Sequence, residues 1–430
     1  MRGSEAKHPA AVILSPPGRT KNLTVSSPSP CHVVAVSAIF LVCMIFLFAP
    51  PSLAQSVPAL TINEEVTAFA FAPDGRIAYA VRHIFGEKKL QVQRDDIWVA
   101  TMDGKKTRII EGQKLFRGPE PFSYAIQSLR WSPDGARLAV EMYTSTMTSE
   151  HGETKEGYAT WLLDAAGKEV HIAGSPALIE GAGNSAWLTD GATVAFMHEA
   201  MQPKLLFDIR TLRAASSGGD TPFPERTFSS VAWDLRPAAG SFAVAIERDT
   251  NLSGPIRLVW LDLQKKDRRE LAQLSAFAGQ LSVSPSGKLV AYFRDQEILE
   301  VREVARPDRV GRIRVGYGAY AWANDDERIL IKRGTFDTSA RGTGSGRRSG
   351  SLAWLKLSPL EARPAAAPAK DLSAAPARPF PAATERDFRD ADLQPALSGL
   401  LFQNFAISPD GRWLAVTAPG ARPLQVFSIR

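Results

Sequence analysis

The stretch that decides the fold is residues 68–81, AFAFAPDGRIAYAV, in which two alternating apolar runs flank a Pro-Asp-Gly turn. The same phrase returns at residues 129–141 as LRWSPDGARLAVE and at residues 405–416 as FAISPDGRWLAV. Gly tolerates a positive φ, Asp bonds its own local backbone, and Pro presets the entry into the turn. Each copy therefore predicts a β-hairpin.

Four degraded copies bring the number of repeats to seven. They are residues 187–196 (WLTDGATVAF), 231–246 (turn replaced by PAAG), 281–293 (LSVSPSGKLVAYF) and 322–331 (WANDDERILI). Most copies precede a second pair of short strands, predicted at 97–101 and 107–110 after the first copy and at 160–163 and 170–173 after the second. Four strands per repeat without helical periods predict an all-β protein, a seven-bladed β-propeller of four-stranded antiparallel blades.

The last repeat contains only three strands, whereas a closed ring leaves no free sheet edge. Residues 57–62 precede the first repeat and are the natural source of the missing strand. We predict that they close the ring by pairing with residues 424–429.

The Ser/Ala-Pro-Asp-Gly phrase followed by an apolar alternation resembles the propeller repeats of TolB-like proteins and of the N-terminal propeller in the dipeptidyl peptidase IV family. The resemblance covers nearly the whole chain after residue 54 and implies the propeller only. Dipeptidyl peptidases carry their Ser-Asp-His machinery in an α/β-hydrolase domain after the propeller. This sequence ends at its last repeat and has no Gly-x-Ser-x-Gly elbow, so we do not expect peptidase activity by that route. TolB-like proteins work with envelope partners, and the resemblance implies the same here.

The N-terminal region has the order of a secretory signal peptide. An apolar run at 33–49 follows basic residues and precedes Ser52-Leu53-Ala54. We predict cleavage after Ala54, which makes residues 1–54 a signal peptide with a long basic n-region, residues 55–430 the propeller, and the protein periplasmic or secreted. The alternative is a membrane anchor formed by 33–49, which would be the only contact with a membrane.

Cleavage changes the charge and the cysteine content. The whole chain has 51 Lys and Arg against 45 Asp and Glu, and removal of residues 1–54 leaves 47 against 44. Both cysteines, Cys31 and Cys43, leave with the signal, so the exported protein would have no disulfide, thiolate ligand or Cys nucleophile. The small net charge and the lack of interleaved aromatic and basic residues argue against nucleic-acid binding.

The surplus length lies between the sixth and seventh repeats. Residues 334–350 include RGTGSGRRSG, and 362–398 begins with a stretch rich in Ala and Pro. Both compositions resist packing. We predict a flexible insertion over 334–350 and 362–398.

Polar residues in the longer loops are the candidates for binding. These loops, which connect second to third strands, share one face of a propeller with the loops that enter first strands. The candidates are Arg82, His83, Glu150, His151, Arg248, Asp249 and Arg333. Glu150 with His151 is the combination that suggests a general-base pair of side chains or a weak metal site. No catalytic residue, metal ligand or cofactor is predicted, because no His-Glu-x-x-His, calcium-loop or Gly-x-Gly-x-x-Gly pattern is present.

Two functions remain open. The preferred hypothesis is an exported, non-catalytic scaffold that binds another envelope or secreted protein, or a small polar ligand. The alternative is a propeller hydrolase or lyase that acts on a small sugar, lactone or peptide at the mouth of the central channel. Three carboxylates, or a His and a carboxylate, within about 5 Å around the channel would favour the enzyme.

Overall fold

The computed structural model shows seven small antiparallel blades arranged as a β-propeller. The structure describes residues 57–86, 92–115, 122–147, 154–170, 178–199, 207–214, 225–238, 240–248, 254–274, 278–294, 297–315, 319–335, 349–357, 384–387, 393–397, 404–417 and 423–429. The predicted signal peptide, residues 1–54, lies outside these ranges. First strands of most consecutive blades contact one another, which places them around the central channel.

The blades follow the order of the repeats. Blade 1 contains β2 (Val66–Phe71), β3 (Ile77–Val81), β6 (Asp96–Ala100) and β7 (Lys106–Ile110), and the short strands β4 (Ile84–Phe85) and β5 (Val92–Gln93) pair between β3 and β6. Blade 2 contains β8 (Phe122–Trp131), β9 (Arg137–Met147), β10 (Thr154–Asp164) and β11 (Leu178–Glu180). A single helical turn, α1 (Gly112–Leu115), follows β7.

Blades 3 and 4 share one long strand. Blade 3 contains β12 (Ala182–Trp187), β13 (Thr193–Glu199), β14 (Phe207–Arg213) and the first half of β15 (Glu225–Pro237). Blade 4 contains the second half of β15 with β16 (Phe242–Arg248), β17 (Ile256–Asp262) and β18 (Asp267–Leu274). These two blades therefore form one continuous seven-stranded sheet.

The remaining blades end in the closure of the ring. Blade 5 contains β19 (Gly279–Val283), β20 (Leu289–Phe293), β21 (Ile298–Glu303) and β22 (Arg309–Arg314). Blade 6 contains β23 (Ala319–Trp322), β24 (Arg328–Thr335), β25 (Ser349–Lys356) and β27 (Leu393–Leu397), and β26 (Thr384–Asp387) pairs in parallel with β22. Blade 7 contains β28 (Asn404–Ile407), β29 (Trp413–Thr417), β30 (Leu424–Ser428) and β1 (Leu60–Ile62).

The ring closes where β1 pairs antiparallel with β30. Leu60 lies opposite Val426 and Ile62 opposite Leu424, and the Ala59 N–H donates to the Val426 carbonyl at 2.7 Å. The first strand of the chain thus supplies the outer strand of the last blade. It removes the free edge that β30 would otherwise present.

The Pro-Asp-Gly turns have the backbone that their residues favour. Gly75 has φ +86° and donates its N–H to the Ala72 carbonyl at 3.0 Å, while the Asp74 carboxylate accepts the Arg76 N–H at 3.1 Å. In the degraded sixth repeat a non-glycine, Asp326, takes the same place with φ +57°. Asp is among the few L residues that tolerate this region, which explains why the hairpin persists there.

Seven apolar clusters fill the described core, one at each junction between consecutive blades, including the junction of blade 7 with blade 1. Every tryptophan whose side chain the structure describes lies in one of these clusters. Trp161 is the largest fully buried side chain and packs between blades 1 and 2. Bulk at these positions fills the wedge between neighbouring blades.

Two predictions about strands need correction. Val170 lies outside any strand, and the fourth strand of blade 2 is β11, whose Ile179 is buried against blade 3. Two stretches of the predicted flexible insertion at 362–398 are strands, β26 and β27. The stretch rich in Ala and Pro ends near residue 383. Both strands lie after this stretch. The rest of 362–398, and residues 336–348 of the first insertion, lie outside the described residues.

Candidate functional site

The loop face of the propeller carries the connections from second to third strands and the entries into first strands. Arg82 and His83 lie there directly after β3, whereas Arg248 is the half-buried last residue of β16 and Arg333 is part of β24. The predicted binding residues that the structure describes thus lie in three different blades, 1, 4 and 6. Among them, only Arg82 and His83 lie in the same blade. Outside the described residues lie Glu150, His151 and Asp249.

His83 lies beside a buried carboxylate. Its Nδ1 atom is 3.5 Å from Oδ1 of Asp96, whose side chain is only 1% exposed. The Asp96 carboxylate also accepts the backbone N–H of Gly112 at 2.8 Å and pairs with Arg108 Nη1 at 3.3 Å. Because Arg108 belongs to β7, the outer strand of blade 1, this His–carboxylate pair lies away from the channel.

The neighbouring carboxylate, Asp95, joins blade 1 to blade 2. It is fully buried, and its Oδ2 atom accepts the backbone N–H of Ile126 in β8 at 2.9 Å. Its Oδ1 atom accepts Nε2 of Gln93 at 2.8 Å. Burial raises the pKa of Asp95, although both hydrogen bonds and the charge of Arg82 act in the opposite direction. Arg82 itself pairs with Glu65 at 2.9 Å.

The contact between Asp95 and Ile126 has counterparts at other blade junctions. First strands of five blades show a shift of register, the mark of a β-bulge. A bulge leaves a backbone N–H unpaired within its own sheet. At three bulges a carboxylate of the preceding blade accepts this N–H, and we name these the bulge contacts. They are Asp95 with Ile126 (2.9 Å), Glu141 with Ser185, and Asp234 with Leu281 (2.7 Å).

Charged side chains of alternate blades lie within electrostatic range of one another. Burial, and after it the charge of Arg236 in blade 4, lowers the pKa of Arg130 in blade 2. Burial raises the pKa of Tyr320 in blade 6, and the charges of Asp234 and Arg236 also act on it. A complete blade separates each pair of alternate blades, so these groups come within electrostatic range only across the channel. The channel cluster consists of Arg130, Glu141, Asp234, Arg236 and Tyr320.

Arg236 is held by the protein through all three guanidinium nitrogens. Its Nη2 atom is 3.1 Å from Oδ1 of Asp234, its Nε donates to the Leu281 carbonyl at 2.7 Å, and its Nη1 donates to the Leu235 carbonyl at 3.0 Å. These bonds bind blade 4 to the first strand of blade 5. Arg236 therefore has a structural role in the wall of the channel.

Arg130 has a much weaker partner. Its Nε atom is 3.6 Å from Oε1 of Glu141. The Glu141 carboxylate already accepts the Ser128 hydroxyl at 2.6 Å and the Ser185 hydroxyl at 2.8 Å, besides the Ser185 N–H. Burial disfavours the charge of Glu141, but Arg130 and these donors outweigh burial and lower its pKa. Arg130 is the largest single contributor to the stabilisation of the Glu141 anion, and the three serine donors add to it.

Both carboxylates of the channel cluster accept backbone N–H groups, which assigns them to the bulge contacts. One close His–carboxylate pair, His83 with Asp96, lies at the outer strand of blade 1. Within the described ranges, no group of three or more His, Cys, Asp and Glu side chains is placed to hold a metal ion.

A long hairpin extends blade 2 at the loop face. Strands β9 and β10 each have 11 residues, against 5 in the corresponding strands of blade 1. Tyr143 and Tyr158 lie opposite each other in this hairpin, with ring centroids 5.5 Å apart and an interplanar angle of 70°. Tyr158 is 59% exposed, and the Tyr143 hydroxyl donates to the Glu156 carboxylate. We name β9 and β10 the tyrosine hairpin. In the equivalent connection of blade 1, Ile84 is 55% exposed.

The opposite face, the turn face, carries the Pro-Asp-Gly turns, and side chains tie successive turns together. These bonds run from Arg76 to the Gly135 carbonyl (3.5 Å), from Arg137 to Gly191 (2.9 Å), from Thr189 to Gly240 (3.1 Å) and from Asn324 to Asp410 (3.1 Å). Between blades 3 and 4 a groove of about 550 Å³ opens beside Asp190, Arg213 and Gln264. The contacts between turns indicate a structural role for this face.

Neither the bulge contacts nor the channel cluster is among the features predicted from the sequence. A signal for them exists, because Arg130, Asp234 and Arg236 are charged residues inside first strands that are otherwise mostly apolar. A charged side chain within such a strand requires a partner or a water-filled space. Which partner it meets depends on the register between blades.

No protein-family model and no curated protein matches this sequence. Among solved structures, the chain is similar to a chain of the mitotic checkpoint complex, with a TM-score of 0.48 and 12% identity over 89% of this chain and 97% of that chain. It is also similar to the β-propeller domain of Cps50 (Swd1) from Myceliophteria thermophila, with a TM-score of 0.50 and 13% identity over 87% of this chain and 100% of that chain. These neighbours are β-propellers of the WD40 type. The similarity to the Cps50 domain supports the fold of the chain, a β-propeller.

No helix in the described ranges is both long and apolar enough to cross a membrane.

Proposed function

We propose that the protein is an exported, TolB-like interaction scaffold and that its loop face binds a protein partner in the periplasm or cell envelope. The observation that carries this proposal is the tyrosine hairpin, which presents the exposed ring of Tyr158 on a long, fully paired pair of strands. The signal-peptide order of residues 1–54 and the absence of cysteine after it support the proposal of export. The Pro-Asp-Gly repeats support the likeness to TolB-like proteins.

Tyrosine suits a binding surface because its ring buries a large area while its hydroxyl tolerates water. Tyr158 stacks edge-on against Tyr143, and the Tyr143 hydroxyl is bound to Glu156. The cross-strand pair therefore restricts the side chains before a partner arrives, which lowers the entropy lost on binding. The exposed Ile84 of blade 1 adds an apolar group on the same face.

The test is capture of partners from envelope extract with purified protein as bait. The variants are Tyr158→Ala, Ile84→Ser and the double variant, with Lys105→Ala in the turn between β6 and β7 as a control on the turn face. We expect Tyr158→Ala to recover at most about a tenth of the partner, as befits an aromatic binding residue, and Lys105→Ala to recover the wild-type amount. Because Tyr158 and Ile84 are mostly exposed, the thermal midpoints should stay unchanged.

Equal recovery by the double variant and the wild type would refute the assignment of the loop face. Loss of recovery in Lys105→Ala alone would place the binding surface on the turn face.

A further inference from the structure

Arg130 is the basic member of the channel cluster that its own protein partners satisfy least. Within the described residues, its Nε atom is buried without a hydrogen bond, and its ion pair with Glu141 spans 3.6 Å. The side chain as a whole remains 30% exposed. Arg130 belongs to β8, the first strand of blade 2, and first strands border the central channel.

Each carboxylate of the channel cluster also has partners other than Arg130. Glu141 is engaged by Ser128 and by both the hydroxyl and the N–H of Ser185. Asp234 is engaged by Arg236 and by the Leu281 N–H. Glu141 and Asp234 therefore form contacts between blades. The guanidinium group of Arg130 keeps N–H donors that a ligand can use.

We propose that the central channel binds the carboxylate group of a small organic acid, with Arg130 as the binding group. The planar guanidinium fork matches a carboxylate with two parallel hydrogen bonds. The positive charge of Arg236 lies in electrostatic range of the same place, on the far side of the channel. A site lined by two cations and partly desolvated strengthens the attraction for an anion.

The charge of the ligand follows from the rest of the cluster. Glu141 and Asp234 carry two negative charges beside the two arginines, so a monoanion is favoured over a dianion such as hydrogen phosphate. The proposal concerns the channel alone, and it holds whether or not the loop face binds a protein.

The experiment uses ¹³C-labelled acetate as the probe, with NMR saturation transfer to the whole protein at constant ionic strength set with sodium chloride. Acetate is compared with phosphate on wild type, Arg130→Gln and Arg130→Lys. Arg213→Gln, an exposed arginine at the groove between blades 3 and 4 on the turn face, is the matched control. Circular dichroism verifies that each variant is folded.

We expect saturable acetate binding in wild type and Arg213→Gln, its loss in Arg130→Gln, and affinity about tenfold weaker in Arg130→Lys, because Lys offers a point charge in place of a fork. If Arg130→Gln does not fold, Arg130→Lys keeps the positive charge and still tests whether the guanidinium fork binds acetate. Absence of saturable binding in wild type, equal binding in wild type and Arg130→Lys, or tighter binding of phosphate than of acetate would overturn the proposal.

Discussion

Replacement of Asp95 tests whether the bulge contacts hold adjacent blades together. The Asp95 side chain is 0% exposed, and it supplies the acceptor for the buried N–H of Ile126 in the next blade. In Asp95→Ala this N–H loses the carboxylate acceptor. In Asp95→Asn the amide oxygen takes the place of Oδ2, so the contact between blades 1 and 2 survives.

The expected loss of stability in Asp95→Ala has two parts. A buried N–H without a partner costs about 1–3 kcal/mol, and the cavity left by the missing carboxylate adds about 1 kcal/mol. We expect Asp95→Ala to lower the free energy of unfolding by about 2–4 kcal/mol. Asp95→Asn should stay within about 1 kcal/mol of wild type at pH 7, since it also removes a charge that burial disfavours.

The pH dependence distinguishes the charge from the hydrogen bond. The folded protein raises the pKa of Asp95 above the ordinary value of 3.8, so the folded state binds this proton more tightly than the unfolded chain. The charge of Asp95 therefore lowers stability above the folded pKa, and this loss disappears as the pH falls towards 3.8. Relative to Asp95→Asn, wild type should gain stability as the pH is lowered from 7 to 4.

The assay is equilibrium unfolding in urea followed by tryptophan fluorescence, with calorimetry as a check on cooperativity. A loss below about 0.5 kcal/mol in Asp95→Ala would refute the stabilising role of the bulge contact. If Asp95→Asn proved as costly as Asp95→Ala, the charge and not the acceptor would be the essential feature.

Three further predictions concern ring closure, a blade junction and export. Deletion of residues 57–62 should lower the free energy of unfolding by about 3–6 kcal/mol, because the buried side chains of Leu60 and Ile62 are lost. An unchanged thermal midpoint would contradict closure of the ring by β1. Gly167→Ala should destabilise clearly more than Gly104→Ala in urea unfolding. The two glycines have φ +83° and +90°, but only at Gly167 would a Cβ meet the Ile109 carbonyl, at 2.4 Å. N-terminal sequencing of the exported protein should start directly after Ala54, and an intact N-terminus would favour the anchor.

Much of the fold could be predicted because local turn chemistry repeats. Each Asp-Gly turn selects a hairpin on its own, and even Asp326 keeps the backbone of the missing glycine. The strand for ring closure could be predicted by counting, since the last repeat lacks one strand. The continuous strand β15 and the parallel strand β26 could not, because pairing between distant segments leaves no local pattern.

The site was harder to predict than the fold. Arg82 and His83 are predicted as loop residues, yet the partner of His83 is Asp96, whose carboxylate also accepts the N–H of Gly112, 16 residues beyond Asp96. The channel cluster joins residues of blades 2, 4 and 6 across the channel. Only the closed ring brings them together, so sequence spacing carries no trace of the arrangement.

The most direct test of the central claim, that the loop face is the interaction surface of an exported scaffold, is photo-crosslinking in living cells. A photoreactive amino acid is introduced in place of Tyr158 in the tyrosine hairpin and, separately, in place of Lys105 on the turn face. The account predicts a discrete cross-linked protein from position 158 and none from position 105. A cross-link from position 105 alone, or from neither position, would contradict it.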